Sequence, residues 1–372
     1  MNRRGFLHSG ALLGLSPMLG RAALAFPATT LTADYSRPIR LNANENALGL
    51  SPKALEAATS ALSESHRYPF SVMPEFQGRL AARHGVEEGH ILLGNGSSEL
   101  LRLVVGLFDP DRSLVLTADP TYEAVSGHAD TLGLRVTRIP LRSDFSHDLE
   151  AMRPVVAGHR GPVLVYLCNP NNPTGTTTPA AGMREWMDEA PPDTLFLVDE
   201  AYHDYAEDPR YDSLVGEATR RDNLLVTRTF SKVYAMAGLR LGYLVGAVKW
   251  VRRLDGFTRL NVSSVALAAA SASLDDRAFV QRSIQSNQRG KTMLYQTLNA
   301  LKVPYLPSDT NFVMFKVNGG LADFRRRMAS SGVQVGRPFP PLLEYCRVTI
   351  GLPEEMETFC GLLRDFRAKQ WV

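Results

Sequence analysis

The sequence predicts an α/β protein in which a mostly parallel sheet lies between layers of helices. Two observations support this fold class: short runs of Val, Leu and Ile recur from about residue 90, and helical periodicity separates several of them, as from Glu99 to Phe108. Continuous apolar runs are typical of strands that are buried on both faces. The five runs are HILLGNGSSE, SLVLTADPTY, PVLVYLCNPNNPTG, TLFLVDEAYHDY and NLLVTRTFSK.

The later part of the chain predicts a second, smaller domain, for which 372 residues leave enough length. A small-residue helix, LNVSSVALAAASASL, precedes a long helical pattern, FVQRSIQSNQRGKTMLYQTLNAL. The apolar runs NFVMFKV and YCRVTIGL then predict short strands among helices. We expect an N-terminal arm at residues 26–50, a large domain at 51–262 and a smaller α+β domain at 263–372.

The first 25 residues resemble an export signal. Arg3 and Arg4 precede Gly-Phe-Leu, a short apolar segment follows, and residues 23–25 form a small-residue cleavage pattern. This arrangement resembles a twin-arginine signal, whose pathway carries folded proteins; an ordinary secretory signal and an amphipathic helix are the alternatives. The prediction is cleavage after Ala25 and a periplasmic location, with the twin-arginine export machinery as a partner before maturation.

The overall composition gives no sign of a nucleic-acid or membrane partner. The net charge of +3 equals the charge of Arg3, Arg4 and Arg21, which leaves the rest of the chain neutral. No run reaches the ~18 apolar residues that a membrane span needs. Three cysteines, an odd count without metal-ligand spacing, indicate neither a disulfide framework nor a metal site.

Polar side chains follow each of the five predicted strands, at the edge where α/β sheets bind ligands. Taken singly, each such residue is more often a satisfied loop group. Five groups that converge on one edge favour a functional site. The residues concerned are Gly96, Ser97, Ser98, Tyr122, Asn172, Asp199, Tyr202, Ser231 and Lys232.

The residue types at this edge predict one ligand. The segment 96–98 opens a helical pattern, and a helix start offers unpaired N–H groups to an anion, although serine is also an ordinary N-cap. Tyr122 can cover a flat ring, and Asp199 is a buried carboxylate that needs a cation. Lys232 is a desolvated amine that can attack a carbonyl, and Arg240 suits a phosphate oxygen. A phosphate, a ring with a basic nitrogen and an aldehyde together describe pyridoxal 5′-phosphate.

From about Arg40 to the C-terminus, the sequence resembles the pyridoxal-phosphate aminotransferases of fold type I (class I/II). It is most similar to their histidinol-phosphate aminotransferase subgroup. The combination of NPNNPTG, VDEAY and a Ser-Lys pair eight residues before an arginine is highly specific. The motifs that carry the resemblance are LNANENALG, RYPF, GNGSSEL, DPTYEAV, CNPNNPTG, VDEAYHDY, TFSKVYAMAGLRLGY and RVTIG.

The resemblance implies catalytic roles for Lys232, Asp199 and Tyr202, and cofactor contacts for Asn172 and Tyr122. Lys232 would bond to the cofactor aldehyde and move a proton to and from the α carbon of the substrate. Asp199 would pair with the pyridine nitrogen and keep it protonated. Tyr202 and Asn172 would hydrogen-bond the phenolic oxygen of the ring, on which Tyr122 would stack.

The resemblance also implies a phosphate site that two subunits share. Tyr68, in RYPF, would reach the phosphate from the neighbouring subunit, which predicts a homodimer; an ordinary turn is the alternative for this segment. The phosphate ligands within one chain would be Gly96, Ser97, Ser98, Thr229, Ser231 and Arg240.

The resemblance also implies that two residues contact the substrate. Arg347, which opens RVTIG, would bind the acidic group of the substrate, with a surface ion pair as the alternative. Asn44 would lie near the substrate entrance. In the proline-rich segment before Arg347, Phe339 and Tyr345 would favour an aromatic substrate and Arg337 would add a second anion contact; a stiff loop is the alternative.

The predicted reaction moves an amino group from an amino acid or an amine-bearing phosphate, of histidinol-phosphate or aromatic type, to a 2-oxo acid. The same residues suit decarboxylation, elimination or oxidation of an amino acid. Export supports this second hypothesis, because histidine biosynthesis uses cytosolic substrates. A non-catalytic protein that binds pyridoxal phosphate is the third hypothesis.

Overall fold

The strands of the structure, a computed structural model that describes residues 38–258 and 262–372, are grouped in three sheets. The predicted signal and residues 26–37 of the predicted arm lie outside the described residues. In chain order the strands are β1 (Ile39–Leu41), β2 (Ile91–Gly94), β3 (Leu114–Asp119), β4 (Arg135–Pro140), β5 (Val163–Cys168), β6 (Thr194–Asp199), β7 (Leu224–Thr229), β8 (Gly242–Gly246), β9 (Tyr305–Leu306), β10 (Phe312–Lys316), β11 (Val333–Val335) and β12 (Tyr345–Thr349).

The largest sheet has seven strands in the spatial order β2-β8-β7-β6-β5-β3-β4. Within it, β8 is antiparallel to both of its neighbours and the other strands are parallel to one another. The predicted α/β class, with a mostly parallel sheet, is therefore confirmed. The five predicted strands are β2, β3, β5, β6 and β7.

The sequence analysis did not find β4 and β8. β4 lies at the edge of the sheet, where exposed and half-buried side chains include Arg135 and Arg138, so it lacks a continuous apolar run. β8 is fully buried but begins and ends with Gly242 and Gly246, and glycine is a weak indicator of strand structure.

Helices cover the sheet on both faces, and α9 and α10 correspond to the two helices predicted after residue 260. In chain order the helices are α1 (Pro52–Ala61), α2 (Val72–His84), α3 (Ser97–Val105), α4 (Ala124–Thr131), α5 (Leu149–Gly158), α6 (Ala180–Glu189), α7 (Val215–Ala218), α8 (Val248–Thr258), α9 (Ser264–Asp275), α10 (Arg277–Ala300), α11 (Leu321–Ser330) and α12 (Pro353–Ala368).

The two faces of the sheet belong to two hydrophobic cores, because successive side chains of a strand point to opposite faces. On β6, for example, Phe196 and Val198 pack into the core that contains α1, α2 and α9. Leu195 and Leu197 pack into the core that contains α3, α4 and α8. The functional residues at the ends of β5, β6 and β7 are held between these two packed layers.

A separate core forms around β10 and β12, which were both predicted as strands. β1 pairs in parallel with β11, so residues 39–41 of the predicted arm add a strand next to this core. The boundaries predicted at residues 50 and 262 stay predictions, since residues 38–372 form one compact unit.

In the described part of the chain, no helix combines the length and the apolar character that crossing a bilayer requires.

Candidate active site

One cavity of about 350 Å³ at the carboxyl ends of the parallel strands brings most of the predicted site residues together. Gly96, Tyr68 and Tyr345 are the predicted site residues that do not line it. The predicted residues in its wall are Asn44, Ser97, Ser98, Tyr122, Asn172, Asp199, Tyr202, Thr229, Ser231, Lys232, Arg240 and Arg347.

The carboxylate of Asp199 lies at the floor of this cavity and is 1% exposed. Its two oxygens accept hydrogen bonds from neutral hydroxyls, one from Thr227 at 3.2 Å and one from Tyr166 at 3.3 Å. Burial raises the pKa of Asp199 to about 6, and these hydrogen bonds act in the opposite direction. A buried carboxylate that has neutral donors is suited to a cationic partner from a ligand.

Tyr166 and Thr227 are site residues that the sequence analysis did not find. They lie on β5 and β7, the two strands that flank β6, and they point to the same face of the sheet as Asp199. A sequence signal was present for Tyr166, whose hydroxyl interrupts the otherwise apolar strand β5, whereas Thr227 begins the polar end of β7. Buried hydroxyls need a hydrogen-bond partner, and the residue at the end of the neighbouring strand is the nearest candidate.

The amine of Lys232 lies on the same cavity wall. Its Nζ donates a hydrogen bond to the Asn44 carbonyl at 3.3 Å and lies 5.5 Å from the centre of the Tyr202 ring. Burial, and then the positive charge of Arg347, lower the pKa of Lys232 to about 8. The lowered pKa increases the neutral fraction of this amine near physiological pH, which is the form that acts as a nucleophile and proton acceptor.

The hydroxyl of Tyr202 joins three segments that are distant in sequence. It accepts hydrogen bonds from the side-chain amides of Asn44 at 3.0 Å and Asn172 at 3.3 Å. Asn44 is 2% exposed, so it lies deeper than the entrance position that the sequence predicts. Its left-handed conformation, with φ of 55°, turns its carbonyl to Lys232 and its backbone N–H to Thr349.

The predicted phosphate end of the cavity is built from the first turn of α3 and the segment after β7. Gly96 has φ of 77°, and a Cβ atom there would lie 2.3 Å from a guanidinium nitrogen of Arg240. Gly242 was not predicted, although a Cβ atom there would lie 2.4 Å from the backbone nitrogen of Ser97. Gly96 needs glycine because its φ is positive and Arg240 lies against it, whereas Gly242 needs glycine because the backbone at the start of α3 lies against it.

Hydroxyl groups complete this end of the cavity. Thr229 donates to the Ser231 hydroxyl at 2.9 Å, and Ser98 and Tyr122 are hydrogen-bonded at 2.9 Å. Among the described residues, Arg240 donates to neutral acceptors, including the Ala237 carbonyl at 2.9 Å. A helix start, several hydroxyls and a guanidinium with no carboxylate partner in the described chain suit a phosphate group.

At the other end of the cavity, Arg347 is 7% exposed. Its guanidinium donates to Asn172 Oδ1 at 2.7 Å and to the Asn42 carbonyl at 3.0 Å, whereas its Nε has no partner among the described residues. Burial lowers the pKa of Arg347 to about 10. A buried guanidinium without a carboxylate in the described chain can bind an acidic group of a ligand.

The proline-rich segment contributes to the same end of the cavity. Phe339 is buried in its wall, with the Arg347 guanidinium 4.6 Å from the centre of the ring. Arg337 also lines the cavity, but it already pairs with Glu123. Tyr345 is not part of this wall; it packs edge-on against Phe145, so the structure does not place it with Phe339 against a substrate.

Two other residues lie apart from the cavity. Tyr68 is 72% exposed and packs against Phe70, with 5.7 Å between the ring centres. This position is compatible with a role in a neighbouring subunit and excludes contact with the cavity of its own chain. His203 is hydrogen-bonded to Tyr211 at 3.0 Å and does not line the cavity.

Comparison with known proteins places the chain in a family. Residues 36–363 match the family model of aminotransferase class I and II. The chain belongs to this family. This aminotransferase is 35% identical to histidinol-phosphate aminotransferase 1 of Cupriavidus pinatubonensis over 356 residues, which cover 94% of the chain and 93% of the relative.

Solved structures have the same fold. A protein from Erwinia carotovora atroseptica has a TM-score of 0.89 and 38% identity, over 91% of this chain and 98% of that one. The histidinol-phosphate aminotransferase of Sinorhizobium meliloti, in complex with pyridoxal-5′-phosphate, has a TM-score of 0.82 and 27% identity over 90% and 91%. The chain is therefore a fold type I aminotransferase that depends on pyridoxal phosphate.

The residues of the cavity fit this cofactor. Asp199 offers a buried negative charge for a protonated ring nitrogen, and Lys232 offers an amine for the aldehyde. The close approach of Arg240 to Gly96 beside the start of α3 forms a cradle for the phosphate. When bound, pyridoxal phosphate supplies an electron-withdrawing ring that stabilises negative charge at the α carbon of the substrate.

We predict that Lys232→Ala lowers the steady-state rate of transamination by at least about 100-fold, because the variant has no amine for proton transfer. The urea unfolding midpoint is expected to stay close to that of the wild type. Among the described residues, the Lys232 amine makes one hydrogen bond, to the Asn44 carbonyl, so little is lost with it. Lys249→Ala, which removes an exposed lysine, is the control for both measurements. An unchanged rate in the Lys232→Ala protein would contradict the assigned role.

We further predict that Tyr166→Phe weakens cofactor binding about 2- to 10-fold at neutral pH, because Asp199 loses one hydrogen-bond donor. Loss of this donor raises the pKa of Asp199 further, so binding in the variant begins to weaken at a higher pH than in the wild type. Cofactor dissociation constants of the apoprotein, measured by fluorescence from pH 5.5 to 8, give this comparison.

The control for the previous measurement is Tyr295→Phe, which removes a hydroxyl that accepts a hydrogen bond from the Ser308 backbone N–H. This variant is expected to retain the wild-type pH profile. If Tyr166→Phe and Tyr295→Phe gave the same profile, the Tyr166 hydroxyl would have no specific effect on Asp199.

Proposed function

We propose that this aminotransferase takes an amino group from a donor that carries an acidic group, either an amino acid or an amine-bearing phosphate, and transfers it to a 2-oxo acid. The observation that carries this proposal is the buried guanidinium of Arg347, which has a free Nε and no carboxylate partner among the described residues. Burying an unpaired charge is unfavourable, so an anionic ligand stabilises this arrangement.

The donor is of histidinol-phosphate or aromatic type. The ring of Phe339 lies in the cavity wall beside Arg347, where it can contact a flat side chain of a ligand. The curated relative from Cupriavidus pinatubonensis is a histidinol-phosphate aminotransferase, which supports the same class of donor.

In this proposal, each side chain of the cavity has a separate role in the reaction. Lys232 is the base that takes a proton from the α carbon of the donor and returns a proton later, because its lowered pKa allows both states near neutral pH. Asp199 supplies the negative charge at the cavity floor. Arg347 and Asn172 hold the acidic group and thereby orient the α carbon toward Lys232.

The proposal is tested by a screen of amino acids and histidinol phosphate as donors. Each donor is added without an acceptor, and conversion of the enzyme-bound cofactor is measured by its absorbance. We predict that Arg347→Gln lowers kcat/KM for the best donor about 10- to 100-fold, because charge-assisted hydrogen bonds to the acidic group are lost. Simultaneous measurement of 2-oxo acid consumption, carbon dioxide release and oxygen uptake separates transamination from decarboxylation and oxidation. Carbon dioxide or oxygen turnover without amino transfer would contradict the proposal.

The active enzyme is proposed to be a homodimer with shared sites. Tyr68, Phe70 and Val72 form an exposed apolar segment, which is a suitable surface for a second copy of the chain. Mixing the Tyr68→Ala and Lys232→Ala proteins tests this arrangement, since a hybrid dimer has one site with neither substitution. Activity above that of either variant supports the shared site, whereas purely additive activity of a monomeric protein contradicts it.

The enzyme is further proposed to act in the periplasm after export in the folded state. Arg3 and Arg4 within the signal-like segment support this location. We expect Arg3→Lys combined with Arg4→Lys to move the protein from the periplasmic to the cytosolic fraction. N-terminal sequencing of the periplasmic form is expected to begin at Phe26; a wild-type protein found in the cytosol with its N-terminus intact contradicts export.

A further inference from the structure

A pair of opposite charges connects the two sides of the cavity at its outer end. Arg337, in the segment between β11 and β12, forms an ion pair with Glu123, the residue that precedes α4. Glu123 directly follows Tyr122, and both Tyr122 and Arg337 line the cavity. Arg337 is therefore part of the cavity wall, and Glu123 pairs with it from a position next to the wall residue Tyr122.

Two guanidinium groups contact one aromatic ring at this end of the cavity. The guanidinium carbon of Arg337 lies 4.3 Å and that of Arg347 lies 4.6 Å from the centre of the Phe339 ring. In the described chain, Glu123 neutralises Arg337, whereas Arg347 has no carboxylate. A ligand with one acidic group can neutralise Arg347. Because Arg337 is already paired with Glu123, both guanidinium groups at this ring then have an anionic partner.

The Glu123–Arg337 pair is weak enough for a ligand to displace. The side chain of Arg337 is 50% exposed and that of Glu123 is 60% exposed. Exposed ion pairs contribute little to stability, because water solvates both charges when they separate. A second acidic group on a ligand can thus compete with the Glu123 carboxylate for Arg337.

We propose that Glu123 sets the charge preference of the enzyme for the part of the substrate that lies beyond its first acidic group. A substrate that is neutral beyond its first acidic group binds while the ion pair between Glu123 and Arg337 stays intact. A substrate with a second acidic group has to displace Glu123, so the enzyme disfavours dicarboxylates relative to substrates with one acidic group. This inference rests on the proposed function, in which Arg347 binds the first acidic group.

The test compares the binding of two unreactive acids to the enzyme loaded with its cofactor, by calorimetry at constant ionic strength. Glutarate carries two carboxylates, and 3-phenylpropanoate carries one carboxylate and a neutral ring. We expect Glu123→Gln to tighten glutarate binding about 3- to 5-fold and to change 3-phenylpropanoate binding less than twofold. Glu189→Gln is the matched control, because Glu189 is also 60% exposed and also pairs with an arginine.

A second pair of variants separates competition from a general change of surface charge. Arg337→Gln is expected to weaken glutarate binding, and adding Glu123→Gln to Arg337→Gln is expected to have no further effect on it. Equal changes for both acids, an unchanged glutarate affinity in Glu123→Gln, or no binding of either acid to any form overturns the inference.

The outcome is distinguishable from failure of the proposed function. An enzyme that transfers amino groups but shows no shift of glutarate affinity in Glu123→Gln overturns the role of Glu123 alone. An enzyme that converts no donor but shows the expected shift contradicts the proposed reaction and supports the role of Glu123.

Discussion

The buried negative charge of Asp199 is the constraint on which the site depends. Asp199 is the last residue of β6, and its carboxylate lies at the floor of the cavity. Desolvation raises the pKa of this carboxylate to about 6. Hydroxyls from the two neighbouring strands hold it in position without neutralising it. The protein thus retains a charge that its own described residues leave without an ion-pair partner, and a protonated ring nitrogen of the cofactor would supply that partner.

Arg347 is a buried positive charge in the same cavity. The charges of Arg347 and Asp199 both shift the pKa of Lys232. After burial, Arg347 is the largest cause of the lowered pKa of Lys232, whereas Asp199 acts to raise it. An acidic group that neutralises Arg347 therefore makes the amine of Lys232 more basic. In this way substrate binding itself strengthens the group that accepts the proton.

Residues in contiguous motifs were predictable from sequence, because the ends of parallel strands meet at one edge of the sheet. Lys232, Asp199 and Asn172 each follow an apolar run and were placed together on this basis. Tyr166 belongs to none of these motifs, and Glu123 lies in DPTYEAV without a role that the motif predicts. The roles of both residues depend on strand order and on contacts between distant segments. Strand order is not encoded locally. The antiparallel strand β8 was not predicted for a different reason, since glycine begins and ends its short apolar run.

The residues at the predicted phosphate end of the cavity are less free to vary than those at the predicted substrate end. A Cβ atom at Gly96 would meet a guanidinium nitrogen at 2.3 Å, and one at Gly242 would meet a backbone nitrogen at 2.4 Å. Alanine at Gly242 would displace the start of α3, and alanine at Gly96 would strain a backbone with positive φ and displace the Arg240 guanidinium, although neither glycine has a functional group. Libraries that aim to alter substrate choice are therefore best confined to the proline-rich segment, with both glycines held constant.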